Sequence, residues 1–243
     1  MKKIIFLFIV SLILLIANSC QKIDTKNQTL YIPKIHIDKE IGIKHNEGLK
    51  NFINTFKNSH KENQLTNQQQ IEFSKQYFID QFDVDITPIV DAIKSNLKEE
   101  INSKPISSNI DIKGFVSYST KNFSQYFKSR VNDILKEIEN CNNDKDKMLL
   151  IVKQNIENSV LENNFANNEK EHFINMLYVY QSSIEFWYEF LNSNTMSKPI
   201  SPNDYWKIPT ADWAGGIIGT IGGPVGGLVG YLASSVTMAI GLI

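Results

Sequence analysis

Glu169 and His172 form a Glu-x-x-His pair on a helical pattern, the spacing that turns a carboxylate and an imidazole to one helix face in a di-iron bundle. Such a centre needs a second such pair beside further carboxylates, and the chain has no second copy. A surface capping pair is the expectation instead. "NCNNDKDK" (Asn140–Lys147) offers oxygen ligands at alternate positions, but it lacks the central glycine and closing glutamate of a calcium loop. Asp144 as a helix N-cap explains it, just as "DVDIT" (Asp83–Thr87) makes a turn ahead of Pro88. Cys141 and His172 could be nucleophile and base only if the fold joined them, and nothing in their spacing does so. His36, His45 and His60 are scattered. No phosphate-cradling loop, dinucleotide fingerprint or nucleophile elbow occurs. A protein that is not an enzyme, with no metal and no cofactor, is expected.

Cys20 is different. Met1-Lys2-Lys3 is basic, Ile4–Ile16 is apolar apart from Ser11, and Ala17-Asn18-Ser19 precedes the cysteine. A run this short with small residues at its end reads as a secretory signal rather than a spanning helix. "LIANSC" resembles the lipobox of bacterial lipoproteins. The resemblance implies a diacylglyceryl group on the Cys20 sulfur, cleavage after Ser19 and acylation of the new amine. Several acyl chains at about 0.8 kcal/mol per buried CH₂ anchor far more firmly than one. Residues 1–19 are then a lipoprotein signal peptide, and the protein is exported and lipid-anchored in the cell envelope, at the outer membrane or cell surface. An ordinary signal peptide with a nearby cysteine is the alternative.

Cleavage would take Lys2 and Lys3 from the 25 basic residues, leaving 23 against 26 acidic ones and a net charge of about −3. That excludes the basic face that nucleic acid requires. Arg130 is the sole arginine, so arginine-cluster recognition of phosphate is excluded too. With Cys20 lipidated, Cys141 has no partner for an intrachain disulfide, and an incidental residue is expected there.

Five regions are expected to position these residues: the signal peptide, a tether over 20–44, a helical domain over 45–193, a proline-containing linker over 194–212, and a membrane segment over 213–243. The tether is polar and then isoleucine-rich around Pro33, which rules out a central strand. Apolar residues recur at helical spacing in six segments of the domain. Asn46 is the expected cap of the first, and Thr87 with Pro88 opens a helix over 87–101. The last segment, through Phe173, Leu177, Tyr180, Ile184, Trp187 and Leu191, is the most aromatic. Asn109–Ser119 is ambiguous between strand and helix. The fold class is mainly α: a bundle of about six helices, then the linker, then an apolar glycine-zipper helix or kinked hairpin.

That tail holds nine of the chain's twelve glycines and no charged side chain after Asp212. Gly215, Gly219, Gly223 and Gly227 fall every four residues; Gly222, Gly226 and Gly230 make a second row that Ser234 continues. Such small-residue rows let helix backbones approach closely, a main source of association where lipid surrounds helices. In water the same glycines cost about 1 kcal/mol each in a helix interior, and Pro224 about 3; it is the expected hinge. As one helix, Trp213–Ile243 would be about 46 Å long and could cross a core of about 30 Å once. Tyr205, Trp206 and Trp213 at its border suit a membrane interface or rings docked on the bundle.

"AGGIIGTIGGPVGGLVG" (Ala214–Gly230) resembles the glycine-zipper regions of pore-forming, two-peptide-type bacteriocins. "GIKHNEGL" (Gly42–Leu49) is similar to a short signature of exported lipoproteins of unknown function with glycine-rich tails. The first resemblance implies a membrane-inserting, self-associating tail, and hence a bacteriocin-like or membrane-perturbing effector whose partners are the lipid bilayer and its own copies. The alternative is a structural or tethering envelope lipoprotein, with the tail as second anchor and an envelope protein as partner. Burial of the tail as an apolar hairpin against the bundle is the third possibility.

Overall fold

The computed structural model describes residues 36–60, 65–99, 105–166, 168–193, 201, 204–219 and 223–242, with backbone only at 223–225. All lie in one contact unit, Ile32–Ile243. Cys20, the expected signal peptide, most of the expected tether with Pro33, Gly222 and much of the expected linker lie outside the described residues.

The described chain is helical: α1 (Ile41–Ser59), α2 (Asn67–Phe82), α3 (Thr87–Lys94), α4 (Ile106–Asn109), α5 (Ile112–Thr120), α6 (Gln125–Glu139), α7 (Lys145–Leu161), α8 (Glu169–Asn192), α9 (Lys207–Gly219) and α10 (Gly223–Ala239). Among the described residues there is no strand; a single antiparallel bridge joins Leu97 to Ile110.

Side chains near the ends explain several boundaries. Thr66 and Gln69 form a reciprocal capping box on α2. Ser124 caps α6 by accepting the Phe127 N–H, and Asp144 caps α7 by accepting the Lys147 N–H, as its position implied. Asp111 accepts the Gly114 N–H, which resolves the ambiguous Asn109–Ser119 stretch as helix.

Other boundaries differ from expectation. The first helix starts at Ile41, inside the expected tether, so Asn46 is interior; its Nδ2 donates to the Ser182 carbonyl at 2.8 Å. The helix expected over 87–101 ends at Lys94, because the backbone turns into the Leu97–Ile110 bridge, where the Lys98 N–H reaches Asn109 O. Thr87 is its first residue, and Ile86 occupies the cap position. Lys207–Asp212, assigned to the linker, form the first turns of α9. Pro209 sits there without penalty because a first-turn N–H has no intrahelical partner.

The long aromatic α8 packs against α1, α7 and α9. Its expected face is buried, with Phe173, Leu177, Tyr180, Ile184 and Trp187 at zero exposure. The C-terminal segment turns back on itself: α9 and α10 pack together as a hairpin, with α5 and α8 against α9, α1, α2 and α4 against α10, and α3 against both. From Val229 to Leu242 every residue is buried. No helix among the described residues is long and apolar enough to cross a membrane.

Candidate functional site

The glycine rows meet each other within the hairpin. A Cβ placed on Gly226 would lie 2.5 Å from Gly219 O, and one on Gly230 would lie 2.5 Å from Gly215 O. A Cβ on Gly219 would lie 2.9 Å from the Gly230 Cα. Only hydrogen fits at these crossings. Gly216 leaves room for the Tyr231 ring, and Gly215 for the Ser234 hydroxyl. Gly227 is buried. Gly223 and Pro224 open α10, so the proline occupies a first turn, where its missing N–H is tolerated.

Around this seam the hairpin meets α1 and α8 through a buried polar cluster. Asp212 on α9 accepts hydrogen bonds at Oδ2 from Ser183 Oγ and, at 3.3 Å, from Trp187 Nε1, both on α8. Trp187 Nε1 also lies 3.3 Å from Ser235 Oγ on α10. His45 on α1 places Nε2 3.2 Å from Ser235 Oγ and 3.6 Å from Asp212 Oδ2. Its Nδ1 is 3.0 Å from Asn46 Oδ1. Because Asn46 Nδ2 donates to Ser182 O, the amide oxygen faces the ring, and Nδ1 is the donor in neutral His45. Nε2 then accepts the Ser235 hydroxyl.

Both ionisable side chains are fully buried. Burial pushes the Asp212 carboxyl up to about 7, and donation from Ser183 and Trp187 restrains the rise. Burial likewise pushes the His45 imidazole down to about 4, opposed by Asn46 and the Tyr231 carbonyl. Each group loses its charged form when water is removed. Among the described residues, Asp212 Oδ1, Trp213 Nε1 and the Ser234 hydroxyl have no hydrogen-bond partner.

A serine, a histidine and an aspartate in contact invite comparison with a hydrolytic relay. There the hydroxyl and the acid sit on opposite ring nitrogens. Here Ser235 and Asp212 share Nε2, and all three residues are fully buried. The arrangement joins helices and activates no nucleophile.

The "GIKHNEGL" signature lines this contact. A Cβ on Gly42 would stand 2.6 Å from Tyr178 O, and one on Gly48 would stand 2.7 Å from Leu232 Cδ2. Leu49 is fully buried. The signature is therefore the face with which α1 covers α8 and α10. Sequence reasoning missed His45 and Asp212 as partners. The available signal was the last charge before the tail, together with a histidine inside a short motif.

The aromatic residues at the tail's border are docked on the protein. Trp213 stacks on Tyr180 at 5.4 Å and 9°, Tyr205 meets Tyr188 edge-on at 5.7 Å, and Trp206 is buried. Tyr180 also bonds the Thr210 hydroxyl at 2.9 Å.

The remaining candidates lie elsewhere. Glu169 and His172 are buried rather than on the surface as expected. Glu169 accepts from the Ser124 N–H at 2.6 Å, from the Ser124 hydroxyl at 2.5 Å, and from the Ala166 N–H, so its capping role is internal. Cys141 is buried, its thiol donates to Glu137 O, and burial raises its pKa. Among the described residues no group of three His, Cys, Asp or Glu side chains could hold a metal ion.

No protein-family model, curated protein or solved structure matches this chain.

Proposed function

We propose that this is an exported envelope lipoprotein, anchored through Cys20, that acts on membranes with its C-terminal hairpin. The helical bundle stows the hairpin until a lipid surface competes for it. The observation that supports this most is chemical. The charge-free, apolar stretch after Asp212 is packed by glycine against glycine and covered by other helices. A segment that is hydrophobic all round suits either a protein core or a membrane. Its glycine faces, freed from each other, would be available to neighbouring copies. On this reading the protein is not an enzyme, and its partners are the lipid bilayer and further copies of itself.

The test is dye release from phosphatidylglycerol/phosphatidylethanolamine vesicles by the mature chain carrying Gly48→Cys and Leu232→Cys. Gly48's Cβ position lies 3.3 Å from Leu232 Cγ, close enough to cross-link α1 to α10. The oxidised protein should leave vesicles intact, and reduction should restore the leakage of the unmodified protein. Equal leakage in the two redox states, or none from the unmodified protein, refutes the proposal.

A second reading is a tethering lipoprotein in which the hairpin is a permanent core. It is favoured by the absence, among the described residues, of a helix long and apolar enough to span. Insertion would require α9 and α10 to lengthen or associate.

A further inference from the structure

The polar cluster has a feature that simple core packing does not require: one acid and one base, fully buried, on the two sides of the contact between the hairpin and its cover. We propose that His45 and Asp212 are the latch of the stowed hairpin, a pair that carries no net charge while shut and whose separation is the step that frees α9 and α10. The proposal rests on the membrane reading for its purpose, although the latch itself is a property of the protein in water.

The geometry supports it as follows. His45 belongs to α1, Ser183 and Trp187 to α8, Asp212 to α9 and Ser235 to α10, and each touches at least one of the others. Lifting the hairpin breaks the whole set at once. Among the described residues, Tyr180 on α8 is the other titratable side chain that acts on Asp212, and Tyr231 on α10 presents its carbonyl to His45 while its phenol is buried. Burial raises both tyrosines, so they stay neutral throughout the working range. His45 is the one ion-pair partner Asp212 has among the described residues. One proton therefore serves the two groups, sitting on the carboxyl or on the imidazole, and the cluster is neutral either way.

The linkage follows from the two directions. In the unfolded chain the proton belongs to the imidazole, because free Asp ionises near 4 and His near 6.5. Shut, the proton moves to the carboxyl, since Asp212 is raised to about 7 and His45 lowered to about 4. Between pH 4 and 6.5 each state thus holds one proton, and the pair adds no pH dependence to stability. Removing one member exposes the other. With Asp212→Asn, a base with a lowered pKa remains; its stability is present above pH 6.5 and lost as pH falls towards 4. With His45→Gln, an acid with a raised pKa remains; its stability is present below about pH 4 and lost as pH rises towards 7.

The experiment compares the full mature chain, both single variants and the double variant in lipid-free buffer between pH 4.5 and 7. Hydrogen exchange of 207–219 and 223–239 is read alongside denaturant midpoints. Relative to the double variant, hairpin opening should change by up to about tenfold per pH unit. It should increase towards acid for Asp212→Asn and towards neutral for His45→Gln, with no added slope in the wild type. Parallel slopes in all four proteins overturn the latch. If a single variant does not fold, the wild-type His45 imidazole decides by NMR. Remaining neutral down to pH 5 supports the latch, and titrating near 6.5 overturns it. Since no membrane is present, the latch can fail while the membrane reading stands, and the redox-locked leakage assay can fail while the latch stands.

Discussion

Two helix pairs in this molecule solve the same packing problem by opposite means. α6 and α7 are amphipathic and capped by Ser124 and Asp144, and they face water with charges; Arg130 on α6 reaches Glu162, just past α7, at 3.2 Å. Large side chains (Phe127, Val131, Ile134, Val152) fill the space beneath them. Beyond the Lys207–Asp204 pair at the start of α9, the ion pair of α9 and α10 among the described residues is the buried one at Asp212, and their shared surface is glycine at backbone contact. The outer pair tolerates change on its wet face. The inner pair has almost no tolerance, because what touches is main chain.

The sharpest way to break this comparison is to fill the seam. Gly219→Leu should destabilise the protein by about 4 kcal/mol or more, since a side chain there meets the α10 backbone, which cannot rotate aside. Chemical denaturation measures it, and a loss below 1 kcal/mol would mean the hairpin packs otherwise.

Trp187→Ala should cost about 3–5 kcal/mol, because it empties the largest site between α8 and the hairpin and removes a donor to Asp212. Trp187→Phe should recover most of that, as the ring volume returns and only the N–H is lost.

Glu169→Ala should cost about 1–3 kcal/mol by leaving the Ser124 and Ala166 donors unpaired. The loss should appear in thermal melts and as faster exchange at the start of α6. Leu161→Ser on α7, at 80% exposure, should change stability by less than 0.5 kcal/mol. A larger loss would show that this outer face is covered.

The contrast also explains what could be read from residues alone. Helices with one apolar stripe announce their existence, so α1, α2, α6, α7 and α8 followed from periodicity, and Asp144 and Pro88 marked starts. The buried side of α7 did not follow, since Val160 is half exposed while Met148 and Asn155 are buried. The segment over Trp213–Ile243 is apolar on every side. Such a pattern cannot say whether its surroundings are lipid or protein, and small-residue rows serve both. The hairpin turn near Pro224 was one of two readings of the same letters. His45 and Asp212 lie 167 positions apart in sequence, and only tertiary packing joins them. Their signal was negative: a carboxylate left where every other charge had been removed.

The claim at the centre of this account is that the hairpin is core in water and leaves its cover at a membrane. Hydrogen exchange of the unmodified mature chain, with and without anionic vesicles, tests it most directly. In buffer, 207–219 and 223–239 should be among the slowest segments to exchange. With vesicles they should stay protected while α1 and the second half of α8, which cover them, exchange faster. Unchanged protection of α1 and α8 on vesicles would contradict the account and leave the hairpin a permanent core.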